Sequence, residues 1–313
     1  MKTIFFGTPS VAVPFLEQLR ESSQILLVVT QPDRPSGRGL RLLPCPVKKR
    51  ALELGLKVIS PESLAGAAQE IKNLGADLGL AVAYGKIFKQ NALEATKHGI
   101  LNVHFSLLPK YRGAAPVQRA LFSNEQKTGV SVFWITPGLD EGPLAAQKET
   151  AIEPQDDEVT LFAKLTRDGK ELLAQTLRDI EAGRIIKRPQ AGTPSKAPSI
   201  DKSQTLISFK TMTAAQIHGL VRGLAGGIPA FAKAQTPQGE SVQILKTALK
   251  SAPKAQNYPP GALIAIERGR GFFVQCKSDV IFIEALRPAG KKTMTAQDYI
   301  NGKKAAEGVV VFT

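Results

Sequence analysis

Apolar residues in this chain fall into two alternating kinds of run. Short, nearly continuous stretches occur at residues 2–7 (KTIFFG), 24–30 (QILLVVT), 78–84 (LGLAVAY), 99–104 (GILNVH) and 129–135 (GVSVFWI). Their length, and the Gly, Pro and Thr at their borders, predict buried strands. Between them the apolar positions take helical spacing, around 45–54, 63–74, 115–123 and 158–182. A further helix is predicted from Pro9 to Leu19, with Ser10 as its N-cap and Pro14 in its first turn. Strands alternating with helices predict an α/β fold built on a mostly parallel sheet covered on both faces, of Rossmann-like type.

The pattern changes after Ile186. Residues up to Lys202 hold Pro189, Pro194 and Pro198 among Gly, Ser, Thr and Lys, a linker composition. Beyond them lie one helical stretch, 213–223, and short strand-like segments at 241–247, 262–267, 271–276 and 279–286 split by Gly and Pro. This predicts a small C-terminal β-barrel, OB-like in character. The expected domains are 1–188, a linker at 189–203, and 204–313.

Composition narrows the class. With 43% hydrophobic and 22% charged residues the chain is of ordinary globular type. No apolar run is long enough for a transmembrane helix, and the interruption at Gly7–Ser10 makes the N-terminus a first strand rather than a signal peptide. Cys45 and Cys276 stand far apart and outside any Cys-x-x-Cys pair, which points to neither zinc nor disulfides and suits a reducing cytoplasm. The net charge is +14, and residues 201–313 carry 15 Lys and Arg against 7 Asp and Glu. A basic excess of this kind suits a polyanionic partner, and equally a solubilising surface.

The turn after the first strand, Phe6-Gly7-Thr8-Pro9-Ser10, has one glycine where a dinucleotide fingerprint needs three, so NAD loses support. The chain also lacks a phosphate-binding Gly-x-x-x-x-Gly-Lys loop and a Gly-x-Ser-x-Gly elbow. The histidines are His98, His104 and His218. His98 and His218 read as structural. His104 ends the strand 99–104, where alternation puts it on the same face as Asn102, near the carboxyl end of a strand where such sheets bind ligands. The turn Gly138–Pro143 supplies Asp140. Amide, imidazole and carboxylate suit acyl transfer: an amide donates to a developing oxyanion, an imidazole handles a proton, and a carboxylate favours the ring's charged form. Capping or turn roles for Asn102 and Asp140 remain the plainer alternative.

The run Asn102-Val103-His104, Ser106-Leu107-Leu108-Pro109 and Tyr111-Arg112-Gly113-Ala114-Ala115-Pro116 resembles the signature of folate-dependent formyltransferases, and Leu139-Asp140 with Gly142 resembles its second half. Phe105 and Pro143 depart from the usual pattern. The resemblance implies a catalytic set of Asn102, His104 and Asp140, and 10-formyltetrahydrofolate as co-substrate. It also implies folate contacts at Ser106, Leu107, Leu108 and Pro109, with the pterin near Tyr84 and Gly85. Metal and NAD are not expected.

Residues 30–50 resemble the insertion loop of the family branch that acts on methionyl-tRNA, in which an Arg matching Arg38 is central. Gly37 and Gly39 flank Arg38, giving a flexible tip whose guanidinium suits a base or a phosphate. The segment Leu286–Met294, with Lys291 and Lys292, and Asn301-Gly302 resemble the closing motif of the same branch; its Leu224–Pro229 turn departs from the pattern. The implied RNA contacts are Arg34, Arg38, Arg41, Lys291 and Lys292. The expected function is formyl transfer to initiator methionyl-tRNA by a cytoplasmic monomer. An amino-sugar nucleotide or another small amine is the alternative acceptor.

Overall fold

A computed structural model describes residues 1–36, 41–227, 229–234, 239–251, 258–303 and 305–313, without the side chains of residues 36 and 41. The chain forms two compact units. The first comprises Met1–Pro116, Lys127–Ala151 and Phe162–Pro198; the second comprises Val117–Gln126, Ile152–Leu161 and Ser199–Thr313.

In the first unit the strands are β1 (Lys2–Gly7), β2 (Gln24–Val29), β5 (Val58–Ile59), β6 (Leu78–Val82), β7 (Ile100–His104), β8 (Lys127–Trp134) and β9 (Leu144–Ala151), ordered β5-β2-β1-β6-β7-β8-β9. Strands β5, β2, β1, β6 and β7 are parallel, as the alternation predicts. The last two are not: β8 pairs antiparallel with β7, and β9 antiparallel with β8. A small hairpin, β3 (Arg34–Ser36) and β4 (Arg41–Leu43), stands apart from this sheet.

The helices of the first unit are α1 (Val13–Ser22), α2 (Pro46–Glu53), α3 (Leu64–Asn73), α4 (Gln90–Leu93) and most of α6 (Glu158–Glu181), whereas α5 (Pro116–Phe122) falls almost wholly in the second unit. Alternation along β1 sends Ile4 and Phe6 into one core with Leu64, Ala68 and Ile71 of α3. Opposite, Gly169 lets α6 close on Phe15 of α1 and Val130 of β8, where an added Cβ would lie 3.1 and 3.4 Å from their side chains. Ser10 does not cap a helix as expected. Ala12 N–H closes a 3-10 turn onto Pro9 O (3.0 Å), and α1 starts at Val13 with Pro14 in its first turn. Residues 189–198 are tied to the first unit by Arg112 N–H to Ser195 O (2.8 Å) and Ala197 N–H to Arg112 O (2.7 Å).

In the second unit, α7 (Ala214–Gly223) and α8 (Ala296–Lys303) accompany an antiparallel sheet of β10 (Phe231–Lys233), β11 (Ser241–Ala248), β12 (Leu263–Glu267), β13 (Gly271–Gln275) and β14 (Val280–Pro288), with β15 (Met294–Thr295) on β14. The order β10-β11-β14-β13-β12 leaves the path of named strands open. The C-terminal residues bridge its two edges: Val311 N–H donates to Gly261 O (2.9 Å) beside β12, and Thr313 N–H to Lys233 O (2.9 Å) in β10. Isolated bridges, Ala262 to Val310 and Ala234 to Phe312, thus link the C-terminal residues to both edges, while among the described residues the sheet itself does not close into the expected barrel. Among the described residues no helix is long and apolar enough to cross a membrane.

His218 joins α7 to β11 through its Nδ1, 3.0 Å from Thr247 Oγ1. Burial, aided by Arg222 and opposed by Glu284, pushes its imidazole down to about 4. The unfolded chain would take up this proton near pH 6.5 while the folded one stays neutral. Stability is therefore lost as pH falls from about 6.5 towards 4, by up to about 2–3 kcal/mol. Gln at this position can still bond Thr247, so His218→Gln should melt with a shallower dependence on pH between 7 and 5. Equal pH slopes for both proteins would show that His218 does not set acid sensitivity.

Candidate active site

Strand β7 and the hairpin excursion between β8 and β9 build one cavity of about 550 Å³ in the first unit. Because β8 is antiparallel, it ends opposite Leu101 at the start of β7. Residues 135–140 then line the same cavity as Asn102 and His104. The excursion thus brings Asp140 to His104, whose Nδ1 lies 3.7 Å from Asp140 Oδ2. Asp140 has φ +51, a left-handed conformation that Asp tolerates better than most side chains.

Each member of this set is held differently. His104 is buried, with Nε2 2.9 Å from Tyr111 O. A carbonyl can only accept, so Nε2 carries a proton and Nδ1 is the nitrogen left to gain or lose one. Asp140 Oδ2 accepts from Gly113 N–H at 2.8 Å. Asn102 is half-buried and lines the cavity, with no described residue hydrogen-bonded to its carboxamide. An amide so placed is free to donate to a ligand.

The far wall is the 83–88 loop, with Ala83 at φ +47 and Gly85 at φ +79. Tyr84 O accepts from Thr8 Oγ1 (3.1 Å) and Gln31 Nε2 (2.8 Å), and Lys86 Nζ is spent on Pro61 O and Glu62 O. The Tyr84 ring packs on Phe6 and Phe88, and burial pushes its phenol up to about 12. Tyr84 and Gly85, expected near the pterin, thus line the cavity. Ile87 and Leu139 stand exposed on the cavity wall. The cavity is therefore apolar on its walls and polar at one end, as small-molecule sites are.

Ser106, Leu107, Leu108 and Pro109 do not line this cavity. Ser106 Oγ donates to Lys110 O (2.6 Å). Ser131 Oγ donates to Ser106 O (2.6 Å) and accepts from Leu108 N–H (3.1 Å), and Gln147 Nε2 donates to Leu108 O (2.8 Å). The Ser106 hydroxyl and carbonyl and the Leu108 N–H and carbonyl are thus satisfied within the protein, and the segment sets the course of the chain from His104 to Tyr111. Phe105 does reach the cavity and packs against Phe15 and Phe162. Among the described residues no group of three or more His, Cys, Asp or Glu is placed to hold a metal ion.

Residues 1–177 match the family model for formyl transferase, and residues 199–304 match the formyl transferase C-terminal domain. The chain belongs to the formyltransferase family. A methionyl-tRNA formyltransferase of Elusimicrobium minutum is 46% identical over 332 aligned positions, covering 100% of both chains. An N-formyltransferase of Helicobacter canadensis, solved with folinic acid and dTDP-3-aminofucose, shares the fold at TM-score 0.67 and 21% identity, over 90% of this chain and 98% of that one. HypX of Aquifex aeolicus, solved with tetrahydrofolic acid, shares it at TM-score 0.64 and 15% identity, and this chain spans 50% of that protein.

The residues expected to meet RNA in this formyltransferase are placed unequally. Arg34 is exposed on β3, with Nη2 3.0 Å from Gln31 Oε1. Arg38 and the Arg41 side chain lie outside the described residues. Lys291 and Lys292 are exposed in the turn between β14 and β15, which closes through Lys291 N–H to Pro288 O (3.1 Å). Several residues that shape the site carry no signal in composition or periodicity: Ser131, Gln147 and Gln190. Gln190 falls in the Pro-rich stretch and reads there as linker.

Proposed function

We propose that this formyltransferase moves the formyl group of 10-formyltetrahydrofolate to the α-amino group of initiator methionyl-tRNA, as a monomer in the cytoplasm. The observation that carries the acceptor is the full-length similarity to a methionyl-tRNA formyltransferase, whose name specifies methionyl-tRNA. The observation that carries the chemistry is the convergence of Asn102, His104 and Asp140 on one cavity. Tyr84, Gly85 and the apolar wall hold the folate, while Ser106–Pro109 act behind it by fixing the loop. Arg34, Arg38, Arg41, Lys291 and Lys292 engage the tRNA, and the basic excess of residues 201–313 suits its phosphates.

In this reading the neutral amine attacks the formyl carbon. A carbon–nitrogen bond forms, and the carbonyl oxygen takes up negative charge. Asn102 donates to that oxygen as the charge develops. His104 Nδ1 removes the proton from the attacking nitrogen, and Asp140 stabilises the resulting imidazolium. The bond to the folate nitrogen then breaks, and the proton passes from His104 to that nitrogen. No bond to the enzyme is made.

The test is formylation of charged initiator methionyl-tRNA, with charged elongator methionyl-tRNA alongside. Rapid transfer to the initiator alone is the expected outcome. Consumption of the folate by a small amine or by water, with neither tRNA formylated, would overturn the acceptor.

A further inference from the structure

Gln190 lies outside the cavity wall, yet it is bonded to both loops that hold the catalytic pair. Its amide nitrogen donates to Asp140 O (2.8 Å) and Gly142 O (2.9 Å). Its amide oxygen accepts from Arg112 Nε (3.2 Å) and Nη2 (2.7 Å). Arg112 is flanked by Tyr111, whose carbonyl accepts from His104, and Gly113, whose N–H donates to the Asp140 carboxylate. Arg112 Nη1 adds a contact to Glu141 Oε1 at 3.3 Å. The side chain of Gln190 therefore spans the gap between the two halves of the site.

We infer that Gln190 is a positioning residue, a buckle that fixes the Asp140 turn against the Tyr111–Gly113 loop and so sets the separation of Asp140 from His104. The inference deepens the proposed reaction and rests on it for its kinetic consequence. The chemistry requires an amide in particular. The two carbonyls of the Asp140 turn need two donor hydrogens and the Arg112 guanidinium needs an acceptor; a hydroxyl or a neutral imidazole has one hydrogen to donate, whereas the carboxamide of Gln or Asn has two and an acceptor oxygen beside them. Asn is shorter by one methylene and cannot reach both loops. With the buckle open, the carboxylate keeps one fixed partner, Gly113 N–H. A displacement near 1 Å in such a constellation costs up to about 100-fold in rate.

Gln190→Glu separates the two halves: its carboxylate still accepts from Arg112 but repels the carbonyls of Asp140 and Gly142. Gln190→Leu removes both. The expected result is a fall in kcat of about 10- to 100-fold for each variant, with KM for 10-formyltetrahydrofolate near that of the parent. A merely structural role would instead lower folding stability and the active fraction with no change in turnover per folded molecule.

The chain has three histidines, so ring signals from histidine-labelled protein are assignable by single substitution. The His104 signal should move in both variants while His98 and His218 stay in place. Unchanged kcat in an active parent, or an unmoved His104 signal, would overturn the inference. Should the parent formylate no tRNA at all, the proposed function fails by itself, and the His104 signal still decides whether Gln190 positions the pair.

Discussion

Replacing Asn102 with alanine should slow formyl transfer by roughly 100- to 1,000-fold, the usual cost of deleting an oxyanion donor, and leave the melting temperature in place. The two halves of this expectation have separate grounds. Asn102 sits on β7 between parallel β6 and antiparallel β8, so its backbone is fixed by pairing with Ala81 and Phe133 whatever its side chain. Its carboxamide engages no described residue, so alanine removes no internal bond. What is lost is a donor lining the cavity beside His104, and such a donor counts most where it meets charge that exists only in the transition state. Asn102→Asp sharpens the test, because it keeps the shape, removes the donor and adds like charge. Single-turnover rates at saturating folate read the effect directly. A rate for Asn102→Ala within a few-fold of the parent would take Asn102 out of the reaction.

The parts of this molecule that sequence reveals are those where burial is continuous. β1, β2 and β6 are largely apolar on both faces and announce themselves, and β7 shows as a short apolar run interrupted on one face by Asn102 and His104. β9, at the sheet edge, alternates through Gln147, Lys148 and Glu149 and carries no comparable run. The direction of β8 is illegible for another reason: a strand buried along nearly its whole length looks the same whether its neighbour runs parallel or antiparallel. That direction matters, because it converts the Asp140 turn from a loop at the end of a parallel strand into a hairpin excursion lining the cavity beside β7. The pairing of Asn102 with His104 follows from strand alternation and appears as expected. Gln190 could not be found this way, since its role depends on long-range contacts in a segment whose Pro and Gly content reads as linker. For Ser106–Pro109 the motif is legible, but motif alone does not separate residues that line a cavity from residues that hold its wall in place.

Gly142→Ala should be nearly as damaging as loss of a catalytic side chain, although glycine has no group to lose. A Cβ at this position would collide with the Trp134 carbonyl oxygen, and would lie 2.9 Å from the Trp134 carbonyl carbon and 3.2 Å from Thr136 Cγ2. Trp134 cannot retreat. Its N–H donates to Pro143 O (3.0 Å), its indole Nε1 to His98 O (3.1 Å), and the next residue, Ile135, is bonded to Ile100 O (2.8 Å). The excursion must move instead, and with it Asp140 two residues away and the Gly142 carbonyl that Gln190 holds. Overpacking against fixed backbone costs about 1–3 kcal/mol. Displacing the carboxylate by about 1 Å should lower kcat by about 100-fold. Gly138→Ala is the matched control on the same excursion, because there the three atoms nearest the added methyl all belong to the exposed side chain of Glu141, which can swing aside where the Trp134 backbone cannot. Melting temperature and kcat measured on both variants separate the causes. A Gly142→Ala enzyme with parental turnover would mean that the excursion adapts without moving Asp140, and that the close approach at Trp134 is not what requires glycine in this signature. Turnover lost equally in Gly138→Ala would point to general sensitivity of the excursion rather than to that one contact.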